Sequence, residues 1–257
     1  MIRSHLQGGV GRIVLARPEK KNAFNGEMLA EIDRLLAAWA VDPACRVIVL
    51  EAEGDTFCAG ADLAWMASYA GAGREENLAS AKELGGVFHR IARSPKPVVG
   101  RIQGAARGGG VGLAAAVDIA VASDRASFAL TEVRLGLLPG VISPFVVERM
   151  GPSQARGLFM TGENIDAARA LRLGLVHHVV AADQLDAKVA EVVGQLVLGG
   201  PAALLACKQL VELVAFRPVE EVAAQTAELI ADRRTSAEAQ EGMMAFLEKR
   251  RPSWVPE

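Results

Sequence analysis

The sequence predicts an α/β domain with substantial parallel strand pairing, followed by an all-helical C-terminal region. Three observations carry this. Short runs rich in Val and Ile recur through the first 180 residues, and segments of helical periodicity separate them. From about residue 182 onward only helical patterns remain. The change of character divides the chain into a core over 1–181 and a helical region over 182–257.

The strand-like runs are "GRIVLA" (11–16), "RVIVLEA" (46–52), "PVVGRIQG" (97–104), "DIAVAS" (118–123) and "LVHHVV" (175–180). Between the first two, Leu29, Ile32, Leu36 and Trp39 fall three or four residues apart and mark one face of a helix. Asn25 is its expected N-cap. A second helix is expected within 74–93, after the loop "GAGRE". Ser143 and Pro144 read as an N-cap and first-turn pair, and Asp166 as the cap of a helix that Gly174 ends. The C-terminal helices are punctuated at "GGP" (199–201), "RP" (217–218) and "TS" (235–236). Such a tail is either an oligomerisation or lid element, or simply packs on the same core.

Composition narrows the function classes. Half of the 257 residues are hydrophobic, with one Tyr and three Trp, so the core is expected to be aliphatic. Twenty-eight basic residues against thirty acidic ones give a net charge of −2, which offers no electrostatic case for nucleic acid. The first residues lack the apolar run of a signal peptide. No stretch approaches the roughly 20 apolar residues of a membrane span. Cys45, Cys58 and Cys207 are an odd, sparse set without metal-ligand spacing. The expectation is a cytoplasmic protein without structural disulfides, in which Cys58 serves as a small buried hydrophobe.

Two places share a design of strand, small residues and helix start: "VIVLEAEGDTFCAGADLAWM" (47–66) and "VVGRIQGAARGGGVGLAAA" (98–116). A helix N-terminus leaves backbone N–H groups free and favours an anion. Two such elbows, each aiming one N–H at a single oxygen, would make an oxyanion hole. The competing dinucleotide fingerprint wants G-x-G-x-x-G, whereas "GGGVGL" has G-x-G-x-G and its strand starts near residue 100. Taken alone, the glycine run is equally compatible with a plain strand-to-helix turn.

The segments "FCAGADLAWM", "GAARGGGVGLAAAVDIAVAS", "ASFALTEVRLGLLPG" and "TGENIDAARALRLGLVHHVV" occur in the order seen in the crotonase superfamily of enoyl-CoA hydratases and isomerases. "ARPEKKNAF" and "EGMMAFLEKR" extend the resemblance to nearly the whole chain. "CAGADLAWM", "GGGVGL" and "GLLPGVISPFVV" most resemble the 3-methylglutaconyl-CoA hydratase-like branch. The resemblance implies a spiral of β-β-α units with a helical C-terminal region that builds trimers, commonly paired into hexamers. It makes Ala61 and Gly109 the N–H donors to the thioester oxygen of an acyl-CoA. Ala59, Ala61, Asp62, Leu63 and Ala64 would line the CoA groove, and Lys249 would reach the CoA phosphates, sometimes from a neighbouring subunit. No metal or redox cofactor is implied, since CoA arrives as part of the substrate.

Many hydratases of this kind use two glutamates. The resemblance supplies one as Glu132, whereas the other position holds Gly112. One carboxylate suffices if it activates water and then returns the proton on the same face, and partial burial would raise its pKa toward the working pH. The expected reaction is hydration of a branched enoyl-CoA such as 3-methylglutaconyl-CoA. The alternatives are a Δ3-Δ2 enoyl-CoA isomerase and a CoA-binding subunit without activity. Among other polar residues, adjacent His177 and His178 would point to opposite faces of a strand and share no metal. His89, Arg90 and Arg93 read as the polar face of a helix, and Trp65 and Met66 as packing or pocket-shaping residues. Arg107 and Arg134 flank the expected site, where either would be available to a distal substrate carboxylate.

Overall fold

The computed structural model describes residues 1–255, so the last two positions of the helical region expected over 182–257 lie outside the described residues. An antiparallel hairpin of β1 (Ile2–Gln7) and β2 (Val10–Leu15) opens the chain. Helix α1 (Gly26–Val41) follows, and the Asn25 side chain accepts from the Met28 N–H as expected of an N-cap. Its buried face includes Leu29, Ile32, Leu36 and Trp39, the residues whose spacing predicts it.

Three turns of one pattern come next. Each sends one strand into a large sheet, a short strand into a second sheet, and then helical structure back across the core. The first turn is β3 (Val47–Ala52), β4 (Thr56–Cys58), α2 (Leu63–Ala67) and α3 (Arg74–Ala92). The second is β5 (Val98–Ile102), β6 (Ala105–Arg107) and α4 (Gly109–Ala116). The third is β7 (Ile119–Ser123), β8 (Ser127–Ala129) and α5 (Ser143–Thr161). The large sheet reads β1-β2-β3-β5-β7 and ends on β10 (His178–Val180), with parallel pairing from β2 onward. The small sheet reads β4-β6-β8 in parallel and closes on antiparallel β9 (Asn164–Asp166).

The continuous apolar reading of β3 follows from burial on both faces. Ile48 and Leu50 face the main core with α1, α3, α4 and α5, whereas Val47 and Val49 face Leu185, Val189, Val192 and Val193. Those four lie on α7 (Leu185–Leu198), so the first C-terminal helix covers the far face of the sheet. Helix α6 (Ala167–Arg172) is capped by Asp166, whose side chain accepts from the Arg169 N–H, and Gly174 follows at φ +80°. Helices α8 (Pro201–Val214), α9 (Val219–Thr235) and α10 (Ala237–Leu247) break at the three punctuated dipeptides or tripeptides. No single described helix is long and apolar enough to cross a membrane.

Two local expectations are corrected. Ser143 is not the N-cap of α5: Ile142 is, because the Ser143 hydroxyl is spent backward, donating to the Gly140 carbonyl at 2.8 Å. The expected strand over 175–180 shortens to its last three residues, because Leu175 and Val176 are buried in the turn after Gly174.

Candidate active site

The two elbows meet. In the first, the Phe24 N–H donates to Gly60 O at 2.9 Å and the Asp62 N–H donates to Phe24 O at 2.8 Å. Successive amides of extended backbone point opposite ways. With Gly60 and Asp62 turned toward Phe24, the Ala61 N–H between them faces away, and among the described residues it has no protein acceptor. In the second elbow the Gly108 N–H donates to Ala129 O at 2.9 Å, and φ of +48° at Gly108 turns the chain into α4. This leaves the Gly109 N–H at the helix start, where no intrahelical partner exists. A Cβ built on Gly60, itself at φ +91°, would lie 2.8 Å from Arg107 O and 3.5 Å from Gly109 N. Only glycine permits so close an approach.

The first elbow differs from expectation in one respect. Its helix is five residues long, and its freed N–H groups are consumed, because the Asp62 carboxylate accepts from Ala64 and Trp65. Asp62 also pairs with Arg17 Nη1 at 2.7 Å, and these donors hold its carboxyl below the usual range, the Ala64 N–H foremost. The exposed donor of this elbow is therefore set by the bridge to Phe24 rather than by a helix terminus.

Glu132 follows β8 in a short 3-10 turn, Glu132–Leu135. Its carboxylate faces the second elbow: a Cβ on Gly108 would sit 3.2 Å from Glu132 Oε1. Oε2 is buried and has no hydrogen-bond partner among the described residues. Desolvation raises its pKa above the ordinary 4.5, partly opposed by its own backbone N–H. Glu132, Ala61 and Gly109 line one cleft of about 360 Å³. Phe24, Met66, Leu84, Val141 and Ile142 give the cleft apolar walls, and exposed Leu63, Leu135, Leu137 and Leu138 surround it.

The position resembling a second acid is sealed. A Cβ on Gly112 would meet Ile142 Cγ2 at 2.2 Å and Phe88 Cε1 at 3.1 Å, so apolar side chains occupy the space a carboxylate would need. Ala59 and Leu63 line the cleft, whereas Asp62 and Ala64 line a neighbouring depression with Arg17, Asn25 and Trp65. Lys249 is exposed after α10 at φ +55° and is not among the cleft residues of its own chain. The Arg107 guanidinium is turned into the small sheet, donating to Ala106 O, Ser127 O and Ser127 Oγ at 2.8–2.9 Å. Arg134 does not line the cleft, and its Nε would be 3.3 Å from a Cβ on Gly162. Met66 is in the cleft wall, and Trp65 packs edge-on against Phe24 with ring centroids 6.3 Å apart.

Away from the cleft, His89 and Arg90 are exposed on α3 while Val87, Phe88 and Ile91 are buried. His177 precedes β10 and accepts from the Ala120 N–H through Nδ1 at 3.0 Å. Desolvation and the Arg149 and His178 charges push it down to about 4. Cys58 is fully buried, and desolvation pushes its thiol up to about 12. Sequence reasoning missed Phe24, Leu84, Val141 and Ile142 as cleft residues. They arrive from distant segments, and nothing local marks them.

Comparison with known proteins places the molecule. A family model described as enoyl-CoA hydratase/isomerase matches residues 5–256. The crystal structure of an enoyl-CoA hydratase from Shewanella pealeana superposes with a TM-score of 0.95 at 40% identity, covering 98% of this chain and 95% of that one. A crotonyl-CoA hydratase from Syntrophomonas wolfei is 32% identical over 251 residues, 95% of this chain and 93% of its own. A trans-2-decenoyl-[acyl-carrier-protein] isomerase from Streptococcus mutans is 31% identical over 98% of this chain and 96% of its own. The chain therefore belongs to the enoyl-CoA hydratase/isomerase family, a family of enzymes with the crotonase fold.

Proposed function

We propose that the protein reversibly adds water across the α,β double bond of an enoyl-CoA, with Glu132 as the single acid–base group. The thioester oxygen accepts hydrogen bonds from the Ala61 and Gly109 N–H groups, which stabilise the negative charge that grows there as the enolate forms. Ionised Glu132 takes a proton from water as its oxygen bonds to Cβ. The same carboxyl then delivers that proton to Cα, so the enzyme returns to its starting state. The CoA portion lies along Ala59, Leu63 and Ala64. Lys249 joins it only where a neighbouring subunit of a trimer or hexamer brings it near. In this reading the helical region over 182–257 provides the assembly surface.

The observation that carries the proposal is the placement of Glu132. Among the described residues it is the one carboxylate in the cleft lining and its Oε2 has no protein partner, and it faces the Gly108–Gly109 turn. A partly desolvated glutamate is more basic than a solvated one, as proton transfer near neutral pH requires. The acyl part is expected to be uncharged. Among the described residues Arg107 is the one cation in the cleft lining, and its guanidinium is committed to Ala106 and Ser127. The apolar walls suit a branched hydrocarbon, but a terminal carboxylate such as that of 3-methylglutaconyl-CoA finds no free partner there.

One observation favours a second reading, Δ3-Δ2 isomerisation. The sealed Gly112 position leaves one carboxylate, and one is enough to shuttle a proton between Cα and Cγ. A panel of straight, branched and carboxylated 2- and 3-enoyl-CoAs, with products identified by mass, tests both. A gain of one water from 2-enoyl-CoAs supports hydration. Interconversion of 2- and 3-enoyl-CoAs without mass change would replace it with isomerisation, and no reaction on any member would leave only CoA binding.

A further inference from the structure

The N–H of Gly109 stands at the start of α4, a helix poorly suited to hold itself in place. Three of its eight residues are glycine, and no side chain caps it at Gly108. A helix this short does not persist on its own. The charged side chains that hold it are at the opposite end. Arg149, on α5, donates from Nε to Ala115 O at 3.0 Å, and from Nη2 to Val117 O and to Asp118 O, the latter at 3.2 Å. Ala115 O and Val117 O belong to the last turn and C-cap, whose carbonyls a helix leaves unpaired, and Asp118 O lies one residue beyond.

A second clamp abuts the first. The Asp118 carboxylate accepts from the Val98 N–H at 2.7 Å and from Lys208 Nζ at 2.9 Å, and Lys208 also donates to Ser94 O at 2.8 Å. The carboxyl end of α4 is thus tied to α5, β5 and α8 together. The amino end is held by packing and by the Gly108 N–H bond to Ala129 O. Gly110 and Gly112 are set so close that added Cβ atoms would strike Cys58 O at 2.3 Å and Ile142 Cγ2 at 2.2 Å. The charged side-chain clamps lie at the carboxyl end.

We propose that Arg149 is a positioning residue for the reaction, fixing the direction of α4 and through it the Gly109 N–H. The inference rests on the reading of Gly109 as a donor to the thioester oxygen. Eight residues at 1.5 Å rise place the two ends about 10 Å apart, so a tilt of roughly 5° moves the donor by about 1 Å. Misplacement of that size is enough to cost on the order of a hundredfold in rate. The guanidinium charge also complements the carbonyl end of the helix dipole, whose positive end faces the developing oxyanion.

The test compares wild type, Arg149→Met and Arg149→Lys on a short 2-enoyl-CoA, with kcat and KM measured separately. In parallel, each is titrated with a conjugated aryl-enoyl-CoA whose absorbance shifts to the red when its carbonyl is hydrogen-bonded. Arg149→Met is expected to lower kcat by about ten- to a hundredfold, to leave KM within about threefold, and to abolish most of the red shift. Arg149→Lys should recover part of both. Should Arg149→Met not fold, Lys208→Met loosens the adjoining clamp and is expected to give a weaker effect in the same direction. Folded variants with the full red shift and wild-type kcat per active site would overturn the proposal, leaving Arg149 a purely structural residue. A wild type that neither turns over nor shifts the probe would instead overturn the reading of the cleft on which it depends.

Discussion

In the proposed reaction Glu132 is the acid–base group, and its environment makes three separable predictions. Replacing it by Gln should lower kcat by at least about a hundredfold, the scale of general acid–base catalysis, while acyl-CoA binding persists. The second concerns stability. Burial raises its pKa in the folded state, so the native protein holds this proton more tightly than the unfolded chain does. The ionised group therefore weakens the fold progressively as pH rises from its unfolded pKa through its folded one, and the penalty is relieved at lower pH. Glu132→Gln should accordingly melt higher than wild type at pH 7, with the gap closing near pH 4. Parallel melting curves with a constant gap would contradict this. For activity, the acid limb of the kcat/KM profile should lie above the ordinary glutamate value of 4.5. A limb at or below that value would show Glu132 is not the base.

At the scale of elements, the long strands and helices were legible because their signals are local. Val and Ile runs mark β2, β3, β5 and β7, and the three- and four-residue spacing of Leu29, Ile32, Leu36 and Trp39 marks α1. Strands β4, β6, β8 and β9 were not legible. Each is three residues long, and sequences such as "AAR" and "NID" carry no alternation, because pairing in the small sheet rather than side-chain pattern defines them. The glycine elbow at 108–109 was visible, and so was Glu132 through its motif. The cleft walls were not, since Leu84 comes from α3 and Ile142 from the turn before α5. The fate of Gly112 likewise appears only when Phe88 and Ile142 are brought against it. That contact makes a prediction: Gly112→Ala should lose about 1–3 kcal/mol of stability through overpacking. The loss should shrink in an Ile142→Ala background, where the clashing methyl is gone. Denaturant unfolding of the four proteins measures the coupling, and strictly additive losses would contradict the contact.

At the scale of the molecule, the two sheets and their returning helices place both elbows and Glu132 around one cleft, while α7 seals the far face of the large sheet. Helices α9 and α10 leave Ile230, Met243, Met244, Phe246 and Leu247 exposed. A stripe of that kind suits burial between subunits, as proposed for the helical region. Light scattering should then give three or six times the chain mass of 27.1 kDa. A monomer at micromolar concentration would contradict that assembly and remove the route by which Lys249 reaches a substrate. The central claim, single-carboxylate hydration at Glu132, has a more direct test. Wild type and Glu132→Gln are mixed with a short 2-enoyl-CoA, the loss of conjugated thioester absorbance is followed, and the product is weighed. The account predicts a product heavier by one water from wild type and a rate at least about a hundredfold lower from the variant. Near-normal hydration by Glu132→Gln would contradict it.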